Sequence, residues 1–219
     1  MQIEQVRLGF IYGLNKLGTN SSQNIHLPQF VYLINKAQLH WFEARVKAKE
    51  QNQVRTDELN SHLVEITPKI AFKQGYFYEF PLPADYFHWQ RFHAEVSGCN
   101  SKVWGKFVEE ANIGELMKDD FTVPSAAWEE VLVTRFADKM RVYVDDFQLS
   151  KGVFSYFRTP RPVDIAGYTK NDGPSSNIDL EFDHVHAEEI IDLAAQIAAG
   201  KIQDIGRLQT ITRHIQEHN

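Results

Sequence analysis

The chain has 219 residues, of which 43% are hydrophobic and 12% aromatic, enough to bury the core of one sizeable domain or two small ones. Its formal net charge of -6 gives no field to grip nucleic acid, since non-specific affinity for phosphate is supplied by Lys and Arg. No uncharged apolar run is long enough for a spanning helix, and the single cysteine, Cys99, permits neither an internal disulfide nor a Cys-based zinc cluster.

The opening MQIEQVRLGFIYGL lacks a basic start followed by an unbroken apolar core, so it does not read as a secretion signal, and a cytoplasmic site of synthesis is expected. Ile3, Val6, Phe10 and Leu14 recur at helical spacing and define one buried stripe. Gly18 and TNSSQN break that helix. Pro28 suits the first turn of a second helix, where its missing N–H has no helical partner. Phe30 or Val31, Ile34, Ala37 and Trp41 would line its buried face, and EARVKAKEQNQ forms a charged tail. Thr56, Asp57 and Glu58 look like a third helix start, with Leu59 and Leu63 on it.

The period then changes. ITPKIAF and GYFYEF are short, aromatic and β-branched, bounded by Pro68, Gly75 and Pro81, and read as strands. LPADYFHWQRFHAEV and the turn SGCNSK follow, while VWGKFVEEANIGELMKDDF fits no single element. VLVTRF and MRVYV around ADK read as a hairpin, and VFSYFRT as the next strand. Pro160 and Pro162 lack the ladder donor, so the chain there lies at a sheet edge or beyond it.

Helical spacing returns at the end. Asp183 is the expected N-cap, and Val185, Ile190, Ala194 and Ile197 lie along one face before Gly200 interrupts. Ile202, Ile205, Leu208, Ile211 and Ile215 continue the period. The fold class is therefore α+β: N-terminal and C-terminal helices packed as a helical body around a β-rich middle, sandwich- or barrel-like. The expected parts are 1-66, 67-182 and 183-219, with the last completing the helical body.

Chemistry leaves few marks. The sequence has no Gly-rich phosphate loop, nucleophile elbow or HExxH pair. DHVHAEE supplies Asp183, His184, His186, Glu188 and Glu189 as possible metal ligands. On an extended chain His184 and His186 would share a face and could meet one ion; on a helix they stand about 200° apart and cannot. The helix reading makes Asp183 a cap and the acids a stabilising N-terminal charge. His88 and His93 beside Trp89 and Arg91 read as half-buried polar positions, and Cys99 as an inert small residue. Paired acids such as Glu109 with Glu110 read as surface. No cofactor is implied.

YFRTPRPVDIAGY, residues 156 to 168, carries more information. An arginine fork on a proline-stiffened segment binds carboxylates at little ordering cost, so Arg158 and Arg161 suit a contact between subunits or an internal salt bridge. Tyr156, Phe157 and Tyr168 flank them as further candidate interface residues.

The order of LPADYFHWQR, VLVTRF, MRVYV, YFRTPRPVDI and LEFDHVHAEEIIDLAAQ resembles that of virion ring proteins of short-tailed phages, in particular the connector rings of crAss-like phages. An LPxDY segment, a strand ending in an Arg-Pro pair and a final F-x-x-H-x-x-I-x-x-L-A helix recur there in this order, and INKAQLHWFEAR is similar to an early helix. His184 and His186 give two registers for the histidine. The resemblance covers roughly residues 56 to 200 and includes no catalytic motif.

It implies a structural, non-enzymatic subunit in the virion neck or tail, made in the host bacterial cytoplasm. That subunit forms a homo-oligomeric ring of twelve copies against the portal protein and neighbouring tail or ring proteins. DNA would pass through the lumen without specific binding, and no membrane is involved. Residues 1 to 50 carry six Lys or Arg against three Glu, whereas residues 51 to 182 carry fourteen against twenty acids. This asymmetry suits heterologous, head-to-tail pairing. Alternatives are a small metal-dependent hydrolase using Asp183, His184, His186 and Glu189, and a bacterial adaptor or scaffold protein.

Overall fold

A computed structural model of the chain describes residues 1–16, 25–51, 57–73, 75–98 and 101–202. Two units emerge: residues 56–159 form one, and residues 1–55 with 160–219 form the other. The α+β reading holds, with helices at the ends and a β-rich middle. The division falls at Arg55/Thr56 and Thr159/Pro160, because residues 63–66 pair into the sheet whereas residues 160–182 bond to helices.

In the helical unit, α1 (Ile3–Lys16) buries the expected Ile3, Val6, Phe10 and Leu14. Helix α2 (Leu27–Gln51) buries Phe30, Leu33, Ile34, Ala37, Trp41, Phe42 and Val46. A four-residue helical turn in the other unit, α3, spans Ile113–Leu116. Helix α4 (His184–Ile202) packs on both α1 and α2 through Ala187, Ile190, Ile191, Ala194, Ala195, Ala198 and Ala199. Close approach is possible because α1 turns glycines toward this alanine stripe: a Cβ at Gly13 would sit 3.2 Å from the Cβ of Ala195. Two expectations need correcting. Val185 is 65% exposed rather than on the buried face, and α4 continues through Gly200, which follows the buried Ala198 and Ala199. Cys99, Thr56 and the apolar series from Ile205 to Ile215 lie outside the described residues, as does the side chain of Ile202.

The other unit is an eight-stranded curled sheet. Its strands are β1 (Leu63–Ile66), β2 (Ala71–Lys73), β3 (Phe77–Pro81), β4 (Tyr86–Val96), β5 (Lys102–Phe107), β6 (Glu130–Phe136), β7 (Lys139–Tyr143) and β8 (Leu149–Arg158). The order is β1-β8-β4-β5-β6-β7-β3-β2, antiparallel except for the parallel β5 and β6. ITPKIAF is not one strand; its proline link separates the end of β1 from β2. Residues 57–62 form a 3-10 turn, so Leu63 opens a strand instead of continuing a helix. The β6–β7 hairpin is as expected, and β8 stops at Arg158 before the prolines. Yet β8 is an interior strand between β1 and β4, so the prolines lie beyond its end and mark no edge.

Alternation sorts the side chains by face. Tyr78, Phe80, Phe92, Ala94, Val103, Val131, Val133, Met140, Val142, Phe154 and Tyr156 fill the concave side. Phe92 sits between two neighbours without side chains. A Cβ at Gly105 would come within 2.7 Å of Val133 Cγ2 and 3.0 Å of Phe92 Cβ, and one at Gly152 within 3.0 Å of the Phe92 ring. Gly105→Val is therefore expected to lower stability by about 1–3 kcal/mol through overpacking. Gly114→Ala, where an added Cβ meets nothing within 4 Å, should be neutral or slightly stabilising, and urea unfolding midpoints compare the two.

Candidate functional site

The metal-ligand candidates sit at the start of α4. The backbone N–H of His186 donates to Asp183 Oδ1 at 2.9 Å and that of Ala187 to the Asp183 carbonyl, so Asp183 is the N-cap as its sequence position suggests. The His186 N–H, and after it the His186 ring, hold the Asp183 carboxyl below its ordinary range. His186 Nδ1 lies 2.8 Å from Asp183 Oδ1, and its ring packs 5.1 Å from Trp41. Glu189 accepts from Trp41 Nε1 at 2.6 Å and pairs with Arg45 Nη2 at 2.7 Å. Burial pushes the Glu189 carboxyl up, but those two donors outweigh it and the net shift is downward.

His184 instead points to solvent, 3.4 Å from Glu188. The helix thus separates the two histidines: His186 pairs with Asp183, His184 with Glu188, and Glu189 with Trp41 and Arg45. Among the described residues, no group of three or more His, Cys, Asp or Glu side chains is placed to hold a metal ion. This geometry leaves the metal-dependent alternative without a site there.

Residues 160–183 run extended across the helical unit. Asn35 on α2 bonds Val163 as a neighbouring strand would, donating to its carbonyl at 2.9 Å and accepting from its N–H at 2.8 Å. Gln38 donates to the Arg161 carbonyl at 3.0 Å. Further on, β9 (Thr169–Lys170) and β10 (Gly173–Pro174) form a small hairpin, organised by the buried Asp164. Asp164 accepts from Tyr168 Oη at 2.7 Å and the Ser176 N–H at 3.2 Å, and pairs with Lys170 Nζ at 2.5 Å. Burial pushes its carboxyl up, but the Lys170, Tyr168 and backbone donors outweigh that and hold it at about 2. Burial, with acceptance by Asp164, pushes the Tyr168 phenol up to about 12.

The five candidate interface residues therefore separate. Phe157 is fully buried and Tyr156 nearly so, with its hydroxyl donating to Asp85 at 2.8 Å; burial and that bond raise its pKa to about 12. As core residues of β8 they offer no surface to a neighbour, which corrects their assignment. Tyr168 is half-buried and committed to Asp164. Arg158 Nη1 donates to the Thr159 carbonyl at 3.4 Å. Arg161 Nε pairs with Glu181 at 3.1 Å while the Arg161 side chain stays 74% exposed, so it makes an internal salt bridge and still reaches the surface.

Sequence reasoning missed the convex face of the sheet. Glu110, grouped with Glu109 as surface, is the hub of a polar network: it accepts from Thr134 Oγ1, from Tyr143 Oη at 2.9 Å and from Arg141 Nη1 at 2.8 Å. Arg141 also reaches Glu79 at 3.5 Å, which Lys139 pairs at 3.0 Å, and its guanidinium lies 3.7 Å from the Phe136 ring centre. Lys139, then Arg141, hold the Glu79 carboxyl low despite burial, whereas burial and Glu110 push the Tyr143 phenol up. Ile113, Leu132 and Tyr143 form a small apolar cluster beside it. The network fastens residues 109–117 to the sheet; alternation in VLVTRF and MRVYV, which puts Thr134, Arg141 and Tyr143 on one face, was its only sequence signal.

Beyond α3, residues 119–130 form a loop held by its own bonds. Thr122 Oγ1 donates to the Leu116 carbonyl at 2.8 Å, the Phe121 N–H to Asp119 Oδ1 at 3.0 Å and the Ala127 N–H to Ser125 Oγ at 3.2 Å. Ser125 and Glu130 exchange backbone bonds of 3.0 and 3.1 Å. Glu129 adopts φ 55, the left-handed region that a residue with a Cβ rarely occupies. The loop nevertheless presents Phe121 at 93% and Trp128 at 77% exposure. Comparison of the chain with models of known protein families and with curated proteins gives no match.

Two outcomes test these anchors. Glu110→Ala should cost about 1–3 kcal/mol, because Arg141 and Thr134 lose a partner, while Glu109→Ala stays within about 0.5 kcal/mol by denaturant unfolding. Asp164, whose carboxyl titrates lower in the folded chain than its unfolded value near 4, contributes stability that is complete above that value and lost as pH falls toward about 2. Asp164→Asn should flatten this acid limb in a plot of unfolding midpoint against pH.

Proposed function

We propose that the chain is a structural subunit of a phage virion, one copy in a ring of the connector that joins the portal vertex to the tail. The observation that carries this reading is the loop 119–130. Its backbone is fixed by side-chain and main-chain bonds, and one non-glycine residue is held at positive φ, yet its two aromatics stay largely exposed. Strained or ordered backbone persists where the surroundings over-determine it, and preordered aromatics are the usual anchors of protein contacts. The order of motifs shared with connector rings supports the same class.

In this reading neighbouring copies meet through different patches, as a closed ring requires. The portal protein and the adjoining tail or ring proteins contact the two ends of the ring. The excess of acids in residues 51 to 182 suits a channel that DNA crosses without adhering, since like charge opposes phosphate binding. Arg161, exposed beside Glu181, and Arg158 remain the arginines through which the extended segment would reach a neighbour.

The test is the mass of the purified chain by light scattering, alone and mixed with the portal protein encoded beside it, followed by electron microscopy of large species. A ring or a portal-dependent complex is expected; a monomer indifferent to the portal would sink the reading. Arg158→Ala combined with Arg161→Ala should leave the circular dichroism spectrum unchanged and weaken that assembly. Assembly at parental concentration would remove the two arginines from the interface.

A further inference from the structure

We infer that the 119–130 loop of one copy docks on the outward face of α1 of a second copy. This rests on the ring reading and names the two patches that meet. On the first side, Phe121 and Trp128 project from the fixed loop among exposed Glu115, Asp119, Asp120 and Glu129. Between residues 115 and 130 the sequence has one lysine, Lys118, against five acids. On the second side, Leu8 and Tyr12 stand one helical turn apart on α1, 69% and 64% exposed. Lys16 continues that line and places its Nζ 4.9 Å over the Tyr12 ring, while half-buried Arg7 adjoins Leu8 in sequence.

The two patches complement each other in kind. Each has two large apolar side chains; carboxylates outnumber the one lysine around the first, while the α1 line runs from Glu4 through Leu8 and Tyr12 to Lys16, its cationic end. They differ in residues and in charge, so the contact is heterologous and propagates from copy to copy. Opposite charge at the rim fixes register and hastens encounter, while the four apolar side chains supply the anchors. Tyr12 offers a ring face to Trp128, and Lys16, already over an aromatic ring, is placed to meet Asp119 or Asp120 of the neighbour.

A photo-crosslinking residue at position 128 of the full chain tests the contact. Equal amounts of isotope-labelled and unlabelled copies are mixed under the conditions that give the large species, with portal protein where that is required, and adducts are mapped by mass spectrometry. Mixed-label adducts to the peptide holding Leu8 to Lys16 are expected. Trp128→Ala, Phe121→Ala and Tyr12→Glu should each raise the concentration needed for assembly at least tenfold at an unchanged thermal midpoint. Lys16→Glu should weaken assembly, and Asp120→Lys should restore part of it.

Large species with adducts elsewhere, on the portal or within one chain, would overturn this pairing and leave the ring reading standing. Absence of any large species, with or without portal, would overturn both. Assembly unaffected by Trp128→Ala and Tyr12→Glu together would remove the two patches even if position 128 crosslinks.

Discussion

The sheet unit depends on a four-residue link. Strands β1 and β2 lie at opposite ends of the strand order, yet only residues 67–70 join them. Seven inter-strand steps of about 4.8 Å would set the ends of a flat sheet roughly 34 Å apart. Five Cα steps cover at most about 17 Å. The sheet must therefore curl until its ends approach, and the curl creates the concave side that Phe80, Phe92 and Phe154 fill. The irregularities in the β4–β8 ladder, between Tyr86 and His88, Trp89 and Arg91, and Glu95 and Val96, bend the longest pairing in the sheet to that curvature. Gly105 and Gly152 follow from the same constraint, because strands on the inside of a tight curve leave room for one phenylalanine and not for its neighbours' side chains.

Polar side chains fix what the apolar core leaves undetermined. Burial of Val163 and Ile165 holds the extended segment against its unit, but Asn35 and Gln38 set its register on α2. Asp164 does the same for the β9–β10 hairpin and Glu110 for the segment crossing from β5 to β6. Each carboxylate serves three donors or more, so substitution of one residue releases a whole segment; a lone surface pair such as Lys47 with Glu43 releases nothing comparable.

What the sequence made legible follows from range. The α1 stripe, most of the α2 face, the β6–β7 hairpin and the Asp183 cap are set by spacing within a few residues, and their reading matches the structure. Tyr156 and Phe157 read as interface residues in the sequence because they adjoin the arginine-proline segment, whereas β8 is flanked by β1 and β4 and buries both. Val185 was misplaced because an N-cap at Asp183 turns the second helical residue outward, a phase that hydrophobicity alone does not reveal. The Glu110 network was invisible for a third reason: its members come from β3, β6, β7 and the turn before α3, and only the sheet order unites them.

An exposed aromatic on its own carries little meaning, since much of any protein surface is apolar. Phe121 and Trp128 are informative because the loop that carries them is ordered by local bonds, a buried Pro124 and the packing of Ala126, yet these two side chains stay largely exposed. A loop free to collapse would fold its tryptophan onto the nearest apolar surface. Here the Ser125–Glu130 pair and the positive φ at Glu129 fix the backbone, and both aromatic side chains stay presented to solvent. The loop is tied to α3 through the Leu116 carbonyl and to the core of the sheet through Ala126, while Glu110 fastens the segment before it to Arg141 of β7.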